Sequence, residues 1–269
     1  MTRHLLISSP TNQTIKDLVR LKDRKGERAE RSFVVEGRRE IERAIKVGFT
    51  LEDLFYCPDI LDNTARSVVG RAGEARLAEV SSEAFAKVAT RDGADGLIAV
   101  FGSKTQSFGD IERKAGENPL FIVAVEDIEK PGNLGAVLRT ADGAGVHGVI
   151  ALGKTIDTWN PNVIRSSLGG VFSVPVVNAE SSEFFDWCVR HRVKTVAGAL
   201  TDRADSLFKK DLRGPLAIVL GSEAHGLSKA SVSRSDEVAI IPMSGLCDSL
   251  NISVAAGVFI YEAMRQRNR

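Results

Sequence analysis

Between residues 120 and 262 the chain repeats one pattern: a short apolar run, a polar loop rich in small residues, and a longer segment with helical spacing. The runs Leu120–Val125 and Leu216–Leu220 are too short for buried helices and show no alternation of apolar and polar residues. They read as strands covered on both faces. Gly148–Leu152, Lys194–Leu200 and Val238–Met243 read as further strands, and Phe172–Val177 as an extended stretch. Strands alternating with helices predict an α/β fold with a mostly parallel sheet and helices on both faces. In such sheets ligands sit beyond the carboxyl ends of the strands.

Three loops fall at that end. Glu126–Asn133 leads into a helix over Leu134–Ala144, with Leu134, Val137, Leu138 and Ala141 on one side and Arg139 on another. Gly221–Leu227 sets Glu223 between two glycines after a buried strand. Ser244–Asn251 crowds Asp248, Ser249 and Asn251 ahead of Ile252–Tyr261, a segment without a charge. Taken alone, Ser249 or Asn251 reads as a helix cap. Together, the loops carrying Asn133, Glu223 and Ser249/Asn251 predict one composite site. The dinucleotide fingerprint GxGxxG is absent. Gly148–Thr155 matches GxxxxGK[ST] letter for letter, but Val149–Leu152 form a strand where a phosphate loop is required, and no helix follows. A nucleotide-binding reading fails on that context.

Charge is nearly balanced, 36 basic against 35 acidic residues, so contact with a polyanion must come from local patches. Three dispersed cysteines and four scattered histidines predict neither a disulfide framework nor a metal site. The N-terminal stretch lacks the apolar core of a signal peptide, and no apolar run is long enough to cross a bilayer. These features lead us to expect a cytoplasmic protein with no membrane partner.

Residues from about Ser32 to Phe101 alternate short strands and helices, as a small α/β domain does. Asn12–Arg31, whose basic residues include Lys22, Arg24 and Lys25, reads as one amphipathic helix with a basic outer side. That face is either laced with ion pairs or turned to a nucleic acid. Ser32–Gly37, Leu51–Cys57, Arg76–Val80 and Leu97–Phe101 read as strands. Thr90–Gly96, headed by Arg91, is a connector or a phosphate-holding loop. Ser103–Pro119 loses periodicity, which sets a domain over 1–106, a linker at 107–118 and a second domain over 119–269.

Three motifs, in order and spacing, resemble the SpoU-TrmH branch of the SPOUT superfamily, RNA ribose 2′-O-methyltransferases that use S-adenosylmethionine. They are Asn133-Leu-Gly135-Ala-Val-Leu-Arg139-Thr-Ala141, Gly221-Ser-Glu223-Ala-His-Gly226-Leu227, and Ile241-Pro242-Met243 leading to Ser249-Leu250-Asn251-Ile-Ser253-Val-Ala255. The stretch NPNVIRSSLGG is also similar, and the first domain is similar to the L30e-like substrate-binding module of ribosomal-RNA members. The resemblance implies a C-terminal trefoil knot and a homodimer in which each site is completed by the neighbouring subunit. It implies that Leu200, Gly221, Ile241, Met243, Ser249 and Leu250 hold the cofactor. Arg139 would orient the RNA phosphate, with Asn133, Glu223, Ser249 and Asn251 positioning it and the ribose. Arg165, Lys22, Arg24, Lys25 and Arg91 would meet RNA. The accessory domain favours large-subunit (23S) ribosomal RNA; a transfer-RNA enzyme and an inactive RNA-binding protein of the same fold are the alternatives.

Overall fold

A computed structural model of the chain describes residues 4–90, 95–154 and 156–267. They fall into two units, Met1–Thr105 with Trp159–Arg165, and Gln106–Thr158 with Ser166–Arg269.

In the first unit the elements run β1 (His4–Ile7), α1 (Gln13–Lys22), α2 (Arg28–Arg31), β2 (Ser32–Glu36), α3 (Arg38–Lys46), β3 (Leu51–Tyr56), α4 (Asn63–Gly70), β4 (Arg76–Val80), α5 (Ser82–Val88) and β5 (Leu97–Gly102). Five strands form a mixed sheet in the order β1-β4-β3-β5-β2. β1, β4 and β3 are parallel, while β5 runs antiparallel to β3 and β2. The single basic helix expected over Asn12–Arg31 is broken. Asn12 caps α1 by accepting the Thr14 N–H, and Ile15, Leu18 and Leu21 are buried. The chain then leaves the helical region at Arg24 (φ 58°) and Gly26 (φ 85°), left-handed values that a continuing helix cannot hold. The short α2 is pinned by Arg28, whose guanidinium lies 2.6 Å from the buried Asp53 carboxylate, with Arg76 at 2.5 Å on its other oxygen. Trp159 stacks on Phe33 at 4.3 Å between ring centroids, nearly coplanar, and Phe49 meets it edge-on.

The second unit runs α6 (Phe108–Ala115), β6 (Phe121–Glu126), α7 (Pro131–Gly143), β7 (Gly148–Leu152), α8 (Pro161–Ser166, nearly all of it grouped with the first unit), α9 (Gly170–Ser173), β8 (Val176–Ala179), α10 (Ser181–Arg190), β9 (Lys194–Gly198) and β10 (Asp205–Ser206). After a 3₁₀ turn at Leu207–Lys209 come β11 (Leu216–Leu220), α11 (Lys229–Arg234), β12 (Glu237–Ile240) and α12 (Ile252–Arg267). The seven strands pair in the order β10-β12-β9-β11-β6-β7-β8, and every pairing is parallel. Every residue of β6, β7 and β11 is buried, as the unalternating apolar runs require. Ile111 of α6 and Phe184, Phe185 and Trp187 of α10 share a core with strand residues such as Ile122, Ile150 and Val219. α7 and α12 pack together: a Cβ on Gly143 would lie 3.3 Å from the Tyr261 hydroxyl.

The segment 107–118, expected as a linker, contains α6: Ser107 and Asp110 form a capping box that starts it, and Ile111 and Ala115 are buried. Two expectations are corrected here. Phe172 and Ser173 are helical, so β8 begins only at Val176. β12 stops at Ile240, short of the predicted Met243, just before the stretch that contains Pro242, which has no N–H to give a ladder. Gly148–Leu152 is β7, buried throughout. Gly153 makes the turn after it at φ +80°, where a Cβ would lie 2.6 Å from Asp127 Oδ1. Its glycine serves close packing against Asp127 and not a phosphate; Thr155 lies outside the described residues.

Candidate active site

Where β9, β11 and β12 end, their following loops and α12 enclose a cleft of about 1110 Å³. Leu200, Gly221, Glu223, Ile241, Met243, Ser249 and Leu250 all line it. Much of this wall is backbone, because the loop after β11 folds tightly on itself. Gly226 donates its N–H to the Ser222 carbonyl at 2.8 Å. A Cβ on Gly221 would sit 2.0 Å from the Gly226 carbonyl carbon and 2.2 Å from Leu227 N, so no side chain fits there.

Glu223 is the hub. Asn133, from the first turn of α7, donates Nδ2–H to Glu223 Oε1 at 3.2 Å, and Asn251 donates to the same oxygen. Asn251 also reaches Asn133 Oδ1 at 3.3 Å. Lys130 takes the other oxygen, its Nζ 3.2 Å from Oε2. The hydrogen bond from Lys130 holds the Glu223 carboxyl below its ordinary range, helped by Asn133 and the Ile252 N–H and opposed by desolvation. Asn251 does both things that its position allowed. Its Oδ1 accepts from Ser253 N at 2.9 Å and Ser253 Oγ at 2.6 Å, closing the start of α12. Its amide meanwhile joins the loops of α7 and β11.

Arg139 stands apart. It follows Asn133 by six residues, roughly 240° around the helix, and it is exposed. Its guanidinium has no hydrogen-bond or ion-pair partner among the described residues. α9 crosses its backbone closely, since a Cβ on Gly170 would lie 3.4 Å from Arg139 Cα.

In the first unit, Lys22 and Arg165 line one small cavity of about 40 Å³. Lys22 donates to the Val88 carbonyl, and Arg24 donates to the Ser32 carbonyl at 2.7 Å. Both side chains therefore brace the fold, while Lys25 stays exposed beside Asp23 at 3.5 Å. Arg91 lies outside the described residues. No group of three metal-ligating side chains occurs among the described residues. Sequence reasoning missed Lys130, because its partner lies 93 positions away and nothing local marks the pair.

Residues 120–261 match the SpoU rRNA Methylase family, and residues 12–99 match the MRM3-like substrate binding domain. A 23S rRNA (guanosine-2′-O-)-methyltransferase from Pectobacterium atrosepticum is 36% identical over 55% of this chain, the match spanning 60% of that relative. The crystal structure of an RNA 2′-O ribose methyltransferase superposes with a TM-score of 0.83 at 38% identity, covering 98% of this chain and all of the other. The SpoU methyltransferase AviRb from Streptomyces viridochromogenes, in complex with the cofactor AdoMet, superposes at 0.83 with 28% identity over 95% of this chain and 98% of its own.

Proposed function

The chain belongs to the SpoU rRNA methylase family, and from that premise we propose that it is an S-adenosylmethionine-dependent ribose 2′-O-methyltransferase acting on 23S ribosomal RNA. The observation that carries this reading is the convergence of Asn133, Glu223 and Asn251 on one point beside the cleft at the carboxyl end of the sheet. Its relatives named above are described as enzymes of the same chemistry. The match of residues 12–99 to a substrate-binding domain supports RNA docking by the first domain, and large-subunit rRNA over transfer RNA. An rRNA substrate is consistent with a cytoplasmic protein.

The cleft suits the cofactor. Its volume of about 1110 Å³ lies just above the ~300–1,000 Å³ typical of small-molecule sites, so it has room for the cofactor, and the glycine-tight turn at Gly221 offers main-chain groups where a side chain would block approach. When bound, S-adenosylmethionine supplies a methyl group on a sulfonium sulfur that is ready to leave. Leu200, Gly221, Ile241, Met243, Ser249 and Leu250 hold it. The remaining tasks of the protein are alignment and exclusion of water. Glu223 fixes the loops through Asn133 and Asn251, so the cleft wall and the start of α12 move as one. Arg139 holds the phosphate beside the target ribose; a guanidinium remains charged and serves as a clamp, not a base. Lys22, Arg24, Lys25, Arg91 and Arg165 add contacts to RNA, with the part of Lys22 and Arg24 limited by their bonds to carbonyls. We further infer that the loop before α12, with α12 laid against α7, forms the trefoil knot of this fold, and that the protein works as a homodimer.

Arg139→Ala tests the assignment. The variant is expected to bind S-adenosylmethionine like the parent by calorimetry, with methyl transfer to 23S rRNA reduced at least about a hundredfold, the effect of losing a charged contact of ~3 kcal/mol. A variant that still methylates at the parent rate removes Arg139 from the site.

A further inference from the structure

We propose that Lys130 is a positioning residue of this site: its ammonium occupies one oxygen of Glu223, which leaves the other oxygen to hold Asn133 and Asn251 together. The proposal rests on the methyltransferase reading above. The division of labour is explicit in the geometry, with Lys130 on Oε2 at 3.2 Å and both asparagine amides on Oε1.

The root of the lysine is rigid. Lys130 is the residue before α7, followed by Pro131, and its carbonyl accepts the N–H groups of Asn133 at 3.0 Å and Leu134 at 3.3 Å. The side chain therefore departs from a fixed point toward the loop after β11. Without it, Glu223 could turn either oxygen toward the asparagines, and a protonated carboxyl would present a donor where the amides need an acceptor. The other charged groups of the cleft wall are Asp202, Arg203, His225, Lys229 and Asp248. Among the described residues, Lys130 is the one cation bonded to the carboxylate. Its charge keeps Glu223 ionised to lower pH. The sign follows: the hub is intact above the carboxyl pKa and fails as pH falls through it, so removing Lys130 moves that failure to higher pH.

The test uses the full chain with Lys130→Met, Lys130→Arg and Glu223→Gln. The Glu223 carboxyl is titrated by carbon NMR in the free protein, with Glu223→Gln identifying the signal. Methyl transfer to 23S rRNA is followed between about pH 3.5 and 8, a window that spans the carboxylate range, at saturating S-adenosylmethionine. Lys130→Met should shift both the titration and the acidic limb of the rate profile upward, while losing at most about fivefold at neutral pH, as expected of an exposed pair. Lys130→Arg should restore both. An unmoved titration in Lys130→Met overturns the proposal, as does a moved titration with an unchanged acidic limb. A parent protein that transfers no methyl group overturns the functional reading instead, and the carboxyl titration then still decides whether Lys130 sets the state of Glu223.

Discussion

Cys188 lies on the buried face of α10, where burial, reinforced by Asp236, pushes its thiol up to about 12. Thiolate, not thiol, is the reactive form, so this residue is inert at neutral pH. Cys57 is fully buried beside Ser82, whereas Cys247 is exposed and lines the cleft. An aromatic disulfide reagent should thus modify one thiol rapidly in the native protein and three after unfolding. Cys247→Ser should abolish the rapid phase, and S-adenosylhomocysteine should slow it by covering the cleft. A second fast thiol, or labelling indifferent to that ligand, would contradict the placement of Cys247.

At the scale of elements, the buried carboxylate of Glu126 ties the end of β6 to two helix starts. It accepts from Ser228 N at 2.8 Å, Ser228 Oγ at 2.9 Å and Ser231 Oγ at 2.8 Å, and from Ser181 Oγ of α10 at 3.4 Å. Glu126→Ala strands those donors and should lower the unfolding free energy by about 2–3 kcal/mol in a urea titration; an unchanged midpoint would show that water replaces the carboxylate without cost. This network also marks the limit of sequence reading. The strands were legible because a run such as Leu216–Leu220, buried on both faces, leaves no other solution. The site loops were legible from Glu223 between glycines and from the polar turn before α12. Partners a hundred positions apart, as Glu126 and Ser228 are, leave no local trace. The edge strand β1 went unread because its outward Leu6 is 76% exposed, which blurs the pattern. The break in the basic helix was hidden for a different reason: Arg24 takes a left-handed conformation that its residue type disfavours.

At the scale of the whole molecule, several large apolar side chains of the last helix and the loop before it are open to solvent. Leu246 is fully exposed, and Val254 and Tyr261 of α12 are each 51% exposed. Met243, at 38%, adds to them. α12 has no charge from Ile252 to Tyr261, and its apolar residues extend over more than one face. The proposed homodimer accounts for both that surface and the isolation of Arg139, which points away from the hub of its own chain. If each site takes Arg139 from one subunit and Glu223 from the other, two inactive variants can complement. Arg139→Ala and Glu223→Ala, each purified without measurable methyl transfer, are mixed in equal amounts under conditions that exchange subunits. Half of the resulting dimers are mixed, and each of these holds one intact site, so about a quarter of the parent activity should return. Val254→Glu with Tyr261→Glu should weaken association in sedimentation and, carried on both partners, suppress the recovery. Two inactive proteins that stay inactive after proven exchange would place Arg139 and Glu223 in the same subunit's site.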